Sequence, residues 1–121
     1  MSHNLFTEED NNKTIRMVIG ETFTIELESN PTTGYTWLRS GLAGTELSDC
    51  TFAIQSKFNN RAPHDNHKNH RRLLVGAGGT MVLEVKALKA GKHTLSLAYG
   101  RPWVGFNAAA KRYNIHVEAT A

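Results

Sequence analysis

The chain has 121 residues, of which 40% are hydrophobic and 21% charged, with a formal net charge of +3. This length corresponds to one domain. The apolar fraction is too high for a wholly disordered chain, and no apolar run is long enough for a membrane-spanning helix. The weak positive charge does not indicate nucleic-acid binding, because no basic stripe with interleaved aromatic residues accompanies it.

Alternation of apolar and polar residues predicts β-strands along the whole chain. In chain order the alternating segments are 15–19, 22–28, 35–39, 51–58, 81–85, 95–99 and 113–117. Turn signals at 19–21 and 89–92 separate neighbouring strands, and no segment has a convincing helical stripe. About seven short strands without intervening helices predict an all-β fold, an antiparallel β-sandwich.

The chain is interpreted as a single domain spanning residues 1–121. Within it, residues 1–12 carry the acidic run Glu8-Glu9-Asp10 and are expected to form a loose N-terminal segment. Residues 59–72 form a polar stretch rich in Asn, His and Arg, which we interpret as a long polar loop. No internal repeat or domain boundary interrupts the strand pattern.

The first candidate site segment, here called the first loop, is Asn30-Pro31-Thr32-Thr33-Gly34-Tyr35. The proline fixes its own φ and favours an extended residue before it, whereas the glycine can adopt a positive φ that turns the chain into the next strand. The two threonines are therefore predicted to lie at a stiff loop tip. An ordinary interstrand loop is the alternative.

The second loop is Leu74-Val75-Gly76-Ala77-Gly78-Gly79-Thr80. Its three glycines let the backbone approach another surface closely, but no Lys-Ser/Thr pair or helix follows, so it is not a phosphate-binding loop. A recognition loop, a flexible turn and a β-bulge remain open.

The third loop, residues 100–106, contains Arg101-Pro102-Trp103. Trp and Arg are enriched among residues that dominate binding interfaces, which favours an interface anchor. The alternative is that Trp103 covers one end of the hydrophobic core.

The three loops, in this order on an all-β domain of this size, resemble the chagasin family of cysteine-protease inhibitors. The resemblance extends from about Ile15 to Val117 and implies an immunoglobulin-like sandwich with these loops at one end. It implies tight, reversible inhibition of papain-like, cathepsin-type cysteine proteases. We expect the inhibitor to be a monomer and, because threonine hydroxyls at a stiff tip offer a thiolate no electrophile, to bind non-covalently. It also implies that the first loop enters the active-site cleft, with Thr32 nearest the catalytic cysteine, and that the second and third loops flank it. The predicted contact residues are Asn30, Pro31, Thr32, Thr33, Gly34, Tyr35, Leu74, Gly76, Ala77, Gly78, Gly79, Arg101, Pro102 and Trp103.

Other functions are less well supported by the residues. His64, His67 and His70 lie in the polar stretch, where a transition-metal site, a solvated loop and a basic patch are alternatives, but the neighbouring Pro and Asn residues oppose the helix that would align them. Cys50 is the only cysteine, which excludes an internal disulfide, and no local signature makes it a catalytic nucleophile. We therefore expect no metal, no cofactor, no enzymatic activity and no nucleic-acid or membrane partner. A non-inhibitory ligand-binding or adhesion module is the alternative function.

The cellular location is predicted from two features. The first ten residues have neither a basic start nor an apolar stretch, so they do not resemble a secretory signal. A single cysteine is typical of a reducing compartment. These features predict a cytoplasmic protein, with intracellular vesicles as the second option.

The long polar stretch of residues 59–72, which precedes the second loop, departs from the family pattern. Of the three predicted loop contacts, the resemblance therefore supports that of the second loop least.

Overall fold

A computed structural model describes residues 5–42, 44–59, 79–104 and 111–121. Single turns of 3-10 helix form at Glu8–Asp10 and Pro31–Thr33. The part of the chain described contains no helix that is long and apolar enough to cross a membrane. The remaining regular structure consists of the strands β1 (Leu5–Phe6), β2 (Thr14–Val18), β3 (Thr22–Ser29), β4 (Thr36–Arg39), β5 (Phe52–Asn59), β6 (Gly79–Ala87), β7 (Gly91–Gly100) and β8 (Lys111–Thr120).

The strands form two four-stranded sheets, which confirms the predicted β-sandwich. The first sheet has the order β1-β3-β6-β5 and the second sheet the order β2-β8-β7-β4. Four of the pairings are antiparallel, as expected, whereas β1 runs parallel to β3 and β2 runs parallel to β8. These two parallel pairings arise because the N-terminal segment runs along β3 in one direction, crosses to the second sheet and returns along β8.

The core lies between the sheets and follows the period-2 pattern of the strands. In β3, Phe23, Ile25 and Leu27 point inward, and the antiparallel register places Val85 and Leu83 opposite Phe23 and Ile25. Burying a side chain of this kind contributes about 1.5–3 kcal/mol. The other buried members of this cluster are Ile15, Met17, Trp37, Leu47, Phe52, Ile54, Ala87, Leu95, Leu97, Tyr113, Ile115, Val117 and Ala119.

Residues 5–12 differ from the expected loose N-terminal segment. Phe6 pairs with Ile25 of β3, and its ring meets the Phe23 ring edge-on at 5.5 Å. The Tyr113 hydroxyl donates a hydrogen bond of 2.7 Å to the Thr7 carbonyl. The acidic run that suggested a solvated segment forms the 3-10 turn between the two edge strands. Residues 1–4 lie outside the described part of the chain.

Side-chain oxygens occupy part of the outer edge of β5, the last strand of the first sheet. The Ser48 hydroxyl accepts the Ile54 N–H at 2.8 Å and donates to the Ile54 carbonyl at 3.0 Å. The Asp49 N–H donates to the Phe52 carbonyl at 3.0 Å, and the Asp49 carboxylate accepts the Phe52 N–H at 3.0 Å. These bonds occupy groups to which another strand would otherwise pair.

A buried arginine holds the connection between β4 and β5. Arg39 is 6% exposed and donates to the Leu47 carbonyl at 2.8 Å and to the Asp49 carboxylate at 3.1 Å. Burial alone would raise the pKa of Asp49, but hydrogen bonds from the Phe52 and Thr51 N–H groups and the charge of Arg39 outweigh it. The pKa of Asp49 therefore lies below its ordinary value of 3.8.

We expect Asp49→Asn to lower the free energy of unfolding by about 1–1.5 kcal/mol near neutral pH, because a charge-assisted hydrogen bond to a buried guanidinium is lost. Since the folded-state pKa is lowered, the stabilisation is present above pH 3.8 and disappears as the pH falls through the folded-state value. Thermal melting between pH 7 and pH 2.5 measures both effects. Glu46→Gln, at an exposed acid of the same connection, is the control, and equal losses in both variants would contradict the assignment.

Candidate functional site

The strand pairings bring the ends of six strands to one end of the sandwich, here called the loop end. In the first sheet, Ser29 of β3 pairs with Gly79 of β6, and Asn59 of β5 pairs with the next residue of β6. In the second sheet, the start of β4 pairs with Gly100, and Tyr99 pairs with Lys111 at the start of β8. The first and third loops and the connection that contains the second loop therefore all leave from the loop end.

Hydrogen bonds within the first loop hold both threonines at its tip. The Asn30 side-chain oxygen accepts the Thr32 N–H at 3.2 Å and the Thr32 hydroxyl at 2.7 Å. The Asn30 carbonyl accepts the Thr33 N–H at 3.1 Å and the Thr33 hydroxyl at 2.8 Å. The Thr33 hydroxyl oxygen in turn accepts the Tyr35 N–H at 3.3 Å. Because short polar side chains close the turn on themselves, the tip has a defined shape while both threonines stay exposed.

Gly34 is required by its conformation and by its neighbour in the third loop. Its φ is +83°, as the sequence predicted for a turn into the next strand. A Cβ at this position would lie 3.0 Å from Cη2 of Trp103 and 3.9 Å from Nε of Arg101. The first and third loops are therefore in direct contact, with the indole edge resting on the glycine.

Arg101 joins the two loops through aromatic faces. Its guanidinium carbon lies 4.9 Å from the centre of the Tyr35 ring and 6.0 Å from that of Trp103. Both distances are within the range of cation–π attraction. Arg101 thus links a residue of the first loop to a residue of its own loop.

Two apolar residues of the third loop are exposed to solvent. Trp103 is 73% exposed and Val104 is 55% exposed, and the Val104 N–H donates to the Arg101 carbonyl at 3.0 Å to close a turn. Pro102 is half-buried between them. The alternative that Trp103 covers the core is therefore wrong, because the indole is on the surface.

Beneath the loops lies an aromatic group that the strand pattern alone did not identify as part of the site. The Tyr99 hydroxyl accepts the Asn30 N–H at 2.8 Å, and the Tyr99 ring lies 5.4 Å from Tyr35 and 5.1 Å from Trp37. Trp37 donates its indole N–H to the Glu28 carbonyl at 3.1 Å. The sequence contained one signal for these contacts. Tyr and Trp residues, whose rings carry a polar atom, lie at strand ends next to the loops.

Only the last predicted contact residue of the second loop can be placed. Leu74, Gly76, Ala77 and Gly78 lie outside the described residues, as do the histidines of the polar stretch. Gly79 begins β6 and is buried, and a Cβ there would overlap the Asn59 carbonyl oxygen and lie 2.8 Å from Cζ of Phe58. Gly79 therefore allows β5 and β6 to approach closely, and its contact with a protease stays a prediction.

Cys50 lies at the opposite end of the sandwich. It is exposed just before β5, and its sulfur is 3.8 Å from Nζ of Lys89. Among the described residues there is no group of three or more His, Cys, Asp or Glu side chains that could hold a metal ion. The loop end therefore presents aromatic and polar side chains in a fixed arrangement, as a binding surface does.

A family model described as "Chagasin family peptidase inhibitor I42" matches residues 16–117. Chagasin of Trypanosoma cruzi is 34% identical over 119 residues, which cover 98% of this chain and 99% of chagasin. The chain belongs to the chagasin family of peptidase inhibitors. The resemblance carried by the three loops is thereby confirmed, and so is the prediction that the protein is an inhibitor and not an enzyme.

Solved structures support the same conclusion about the family and its fold. The Leishmania mexicana ICP is 38% identical, with a TM-score of 0.65, and the match covers 92% of this chain and 90% of that one. The cysteine protease inhibitor EhICP2 of Entamoeba histolytica has a TM-score of 0.68 at 24% identity, over 97% of this chain and 93% of its own, and shows the shared fold.

Proposed function

We propose that this protein, as a member of the chagasin family, inhibits papain-like cysteine proteases by placing its loop end across the active-site cleft. The protein is a cysteine-protease inhibitor, and the proposal concerns how its residues carry out the inhibition. The observation that carries it is the contact between the two loops, in which Trp103 rests on Gly34 and Arg101 stacks on Tyr35.

Preorganisation makes the first loop suited to a narrow cleft. Both threonine hydroxyls are bound within the loop, and the Asn30 N–H is held by Tyr99 from below. A loop that already has its bound shape loses little conformational entropy on docking. Asn30, Pro31, Thr32, Thr33, Gly34 and Tyr35 therefore form the proposed wedge, and Thr32 is its exposed tip.

The third loop widens the contact beside the wedge. Trp103 offers a large exposed apolar surface next to Gly34, and aromatic residues of this kind dominate binding energies when a partner covers them. We propose that Trp103 packs against the protease surface beside the cleft, with Arg101 and Pro102 supporting it. The second loop is proposed to brace the other side.

The shape of the first loop also explains why inhibition need not be covalent. Pro31–Thr33 form a 3-10 turn, so the chain at the tip is not the extended strand that a protease cleaves. The Asn30 carbonyl already accepts two hydrogen bonds from Thr33, and threonine hydroxyls offer a thiolate no electrophile. The loop therefore fills the cleft without presenting a peptide bond in line with the catalytic sulfur.

The protein is proposed to act as a monomer. The loop end presents different residues on each side, and Ser48 and Asp49 occupy part of the outer edge of β5. No second chain is needed to complete the wedge or the third loop beside it.

Titration of papain with this protein in a fluorogenic peptide assay tests the proposal. We expect stoichiometric, reversible inhibition of papain and no inhibition of trypsin, and mass spectrometry after hours with excess papain should recover the inhibitor intact. Absence of inhibition at micromolar protein would favour the non-inhibitory binding module instead. A covalent adduct, or cleavage between Thr32 and Thr33, would contradict the non-covalent wedge.

A further inference from the structure

A carboxylate of the N-terminal segment reaches the base of the first loop. Glu8 Oε2 accepts the backbone N–H of Glu28 at 2.8 Å. β1 pairs with β3 only at Thr24 and Ile25, so the Glu28 N–H lies beyond the end of that short strand. The Glu8 carboxylate thus supplies an acceptor where a longer β1 would have supplied a backbone carbonyl, and it continues the sheet where β1 stops.

The peptide groups on the two sides of Glu28 are thereby both held by side chains, one from the 3-10 turn Glu8–Asp10 and one from β4. Its N–H is bound by Glu8 and its carbonyl accepts the indole N–H of Trp37 at 3.1 Å. Glu28 stands two residues before Asn30, where the first loop begins. The direction in which β3 delivers the chain into the first loop thus depends on both contacts.

Glu8 reaches the first loop by a second route through Lys111. Glu8 Oε1 lies 3.9 Å from Nζ of Lys111, and that ammonium lies 5.6 Å from the centre of the Tyr99 ring. The Tyr99 hydroxyl accepts the Asn30 N–H at 2.8 Å. An exposed ion pair of this length contributes little by itself, but here it orients the cation that covers Tyr99.

We propose that Glu8 is a positioning residue for inhibition, which holds the base of the first loop through Glu28 and through Lys111 and Tyr99. This inference rests on the proposed function, because the benefit of a fixed base is realised when the loop enters a cleft. A wedge whose base moves loses part of its preorganisation and binds less tightly. The N-terminal segment then belongs to the inhibitory machinery, although it contributes no predicted contact residue.

Glu8→Ala and Glu8→Gln test the proposal, with Glu9→Gln as the matched control at the next, exposed acid. We expect Glu8→Ala to weaken papain inhibition roughly fivefold and Glu8→Gln to weaken it less, because the amide keeps an oxygen for the Glu28 N–H. Amide hydrogen exchange of the free proteins should be faster at both Glu28 and Asn30 in Glu8→Ala and unchanged at both in Glu9→Gln. Lys111→Met should speed exchange at Asn30 but not at Glu28.

The two measurements separate failure of this inference from failure of the proposed function. If the unaltered protein does not inhibit papain, the proposed function fails. Unchanged exchange at both amides in Glu8→Ala would overturn the positioning contact, whether or not the protein inhibits papain. If the unaltered protein inhibits and Glu8→Ala inhibits equally well, the positioning role is wrong. Should Glu8→Ala fail to fold, Glu8→Gln and Lys111→Met carry the same comparison, and inhibition and exchange like those of Glu9→Gln would overturn it.

Discussion

Replacing Trp103 by alanine is expected to weaken inhibition of papain by roughly 30-fold or more, which corresponds to about 2 kcal/mol of binding free energy. The indole is 73% exposed in the free protein, so its large apolar surface is available to a partner. For the same reason its removal costs the fold little, and we expect the melting temperature to stay within about two degrees.

Leu88→Ala is the matched control for this experiment. Leu88 is also an exposed apolar residue, at 41%, but it lies in the connection between β6 and β7, away from the loop end. Inhibition should be unchanged in this variant. A Trp103→Ala protein that inhibits as well as the unaltered one would show that the third loop is not an anchor. A large drop in its melting temperature would show instead that the indole stabilises the two loops.

Placing arginine at Thr32 is expected to weaken inhibition by about 100-fold or more, the equivalent of about 2.7 kcal/mol. Thr32 stands at the exposed tip of the first loop, which is proposed to enter the cleft most deeply. The change adds bulk at the tip and removes the hydroxyl that bonds the Asn30 side chain at 2.7 Å. Both effects oppose a close fit. Papain activity measured at increasing inhibitor concentration gives the inhibition constant, and its increase relative to the unaltered protein measures the loss.

Thr45→Arg introduces the same side chain at an exposed threonine of the connection between β4 and β5, at the opposite end of the sandwich. It should leave inhibition unchanged and so shows that added charge alone is harmless. Thr32→Ala separates the two contributions, because it removes the hydroxyl without adding bulk. Equal inhibition by Thr32→Arg and Thr45→Arg would mean that the first loop does not enter the cleft.

Local sequence patterns were sufficient for most of the fold and for part of the site. Alternation predicted seven of the strands because most of them bury one face, and Gly34 and Pro31 predicted a turn at the tip of the first loop. β1 was missed because two residues cannot show an alternation. The contacts of Tyr99 and Glu8 were missed because they join residues far apart in the chain, and nothing local identifies their partners.

The resemblance to the family supplied what the residues alone left open. Three loops that lie far apart in the sequence were expected at one end of the sandwich, and the pairings of β3, β4 and β7 place the first and third loops there. The contact between Gly34 and Trp103 was not predictable, because the indole could also have covered the core. The position of an aromatic ring between core and surface depends on how the loop closes.

Because the two tryptophans have different surroundings, the intrinsic fluorescence of the protein can report on binding at the loop end. Trp37 is 2% exposed and bonded through its indole N–H, whereas Trp103 is 73% exposed at the loop end. A soluble quencher such as iodide should therefore reach the emission of Trp103 and not that of Trp37. Covering the loop end with a protease whose own tryptophans are replaced would shield the quenchable emission, so complex formation can be followed without a label.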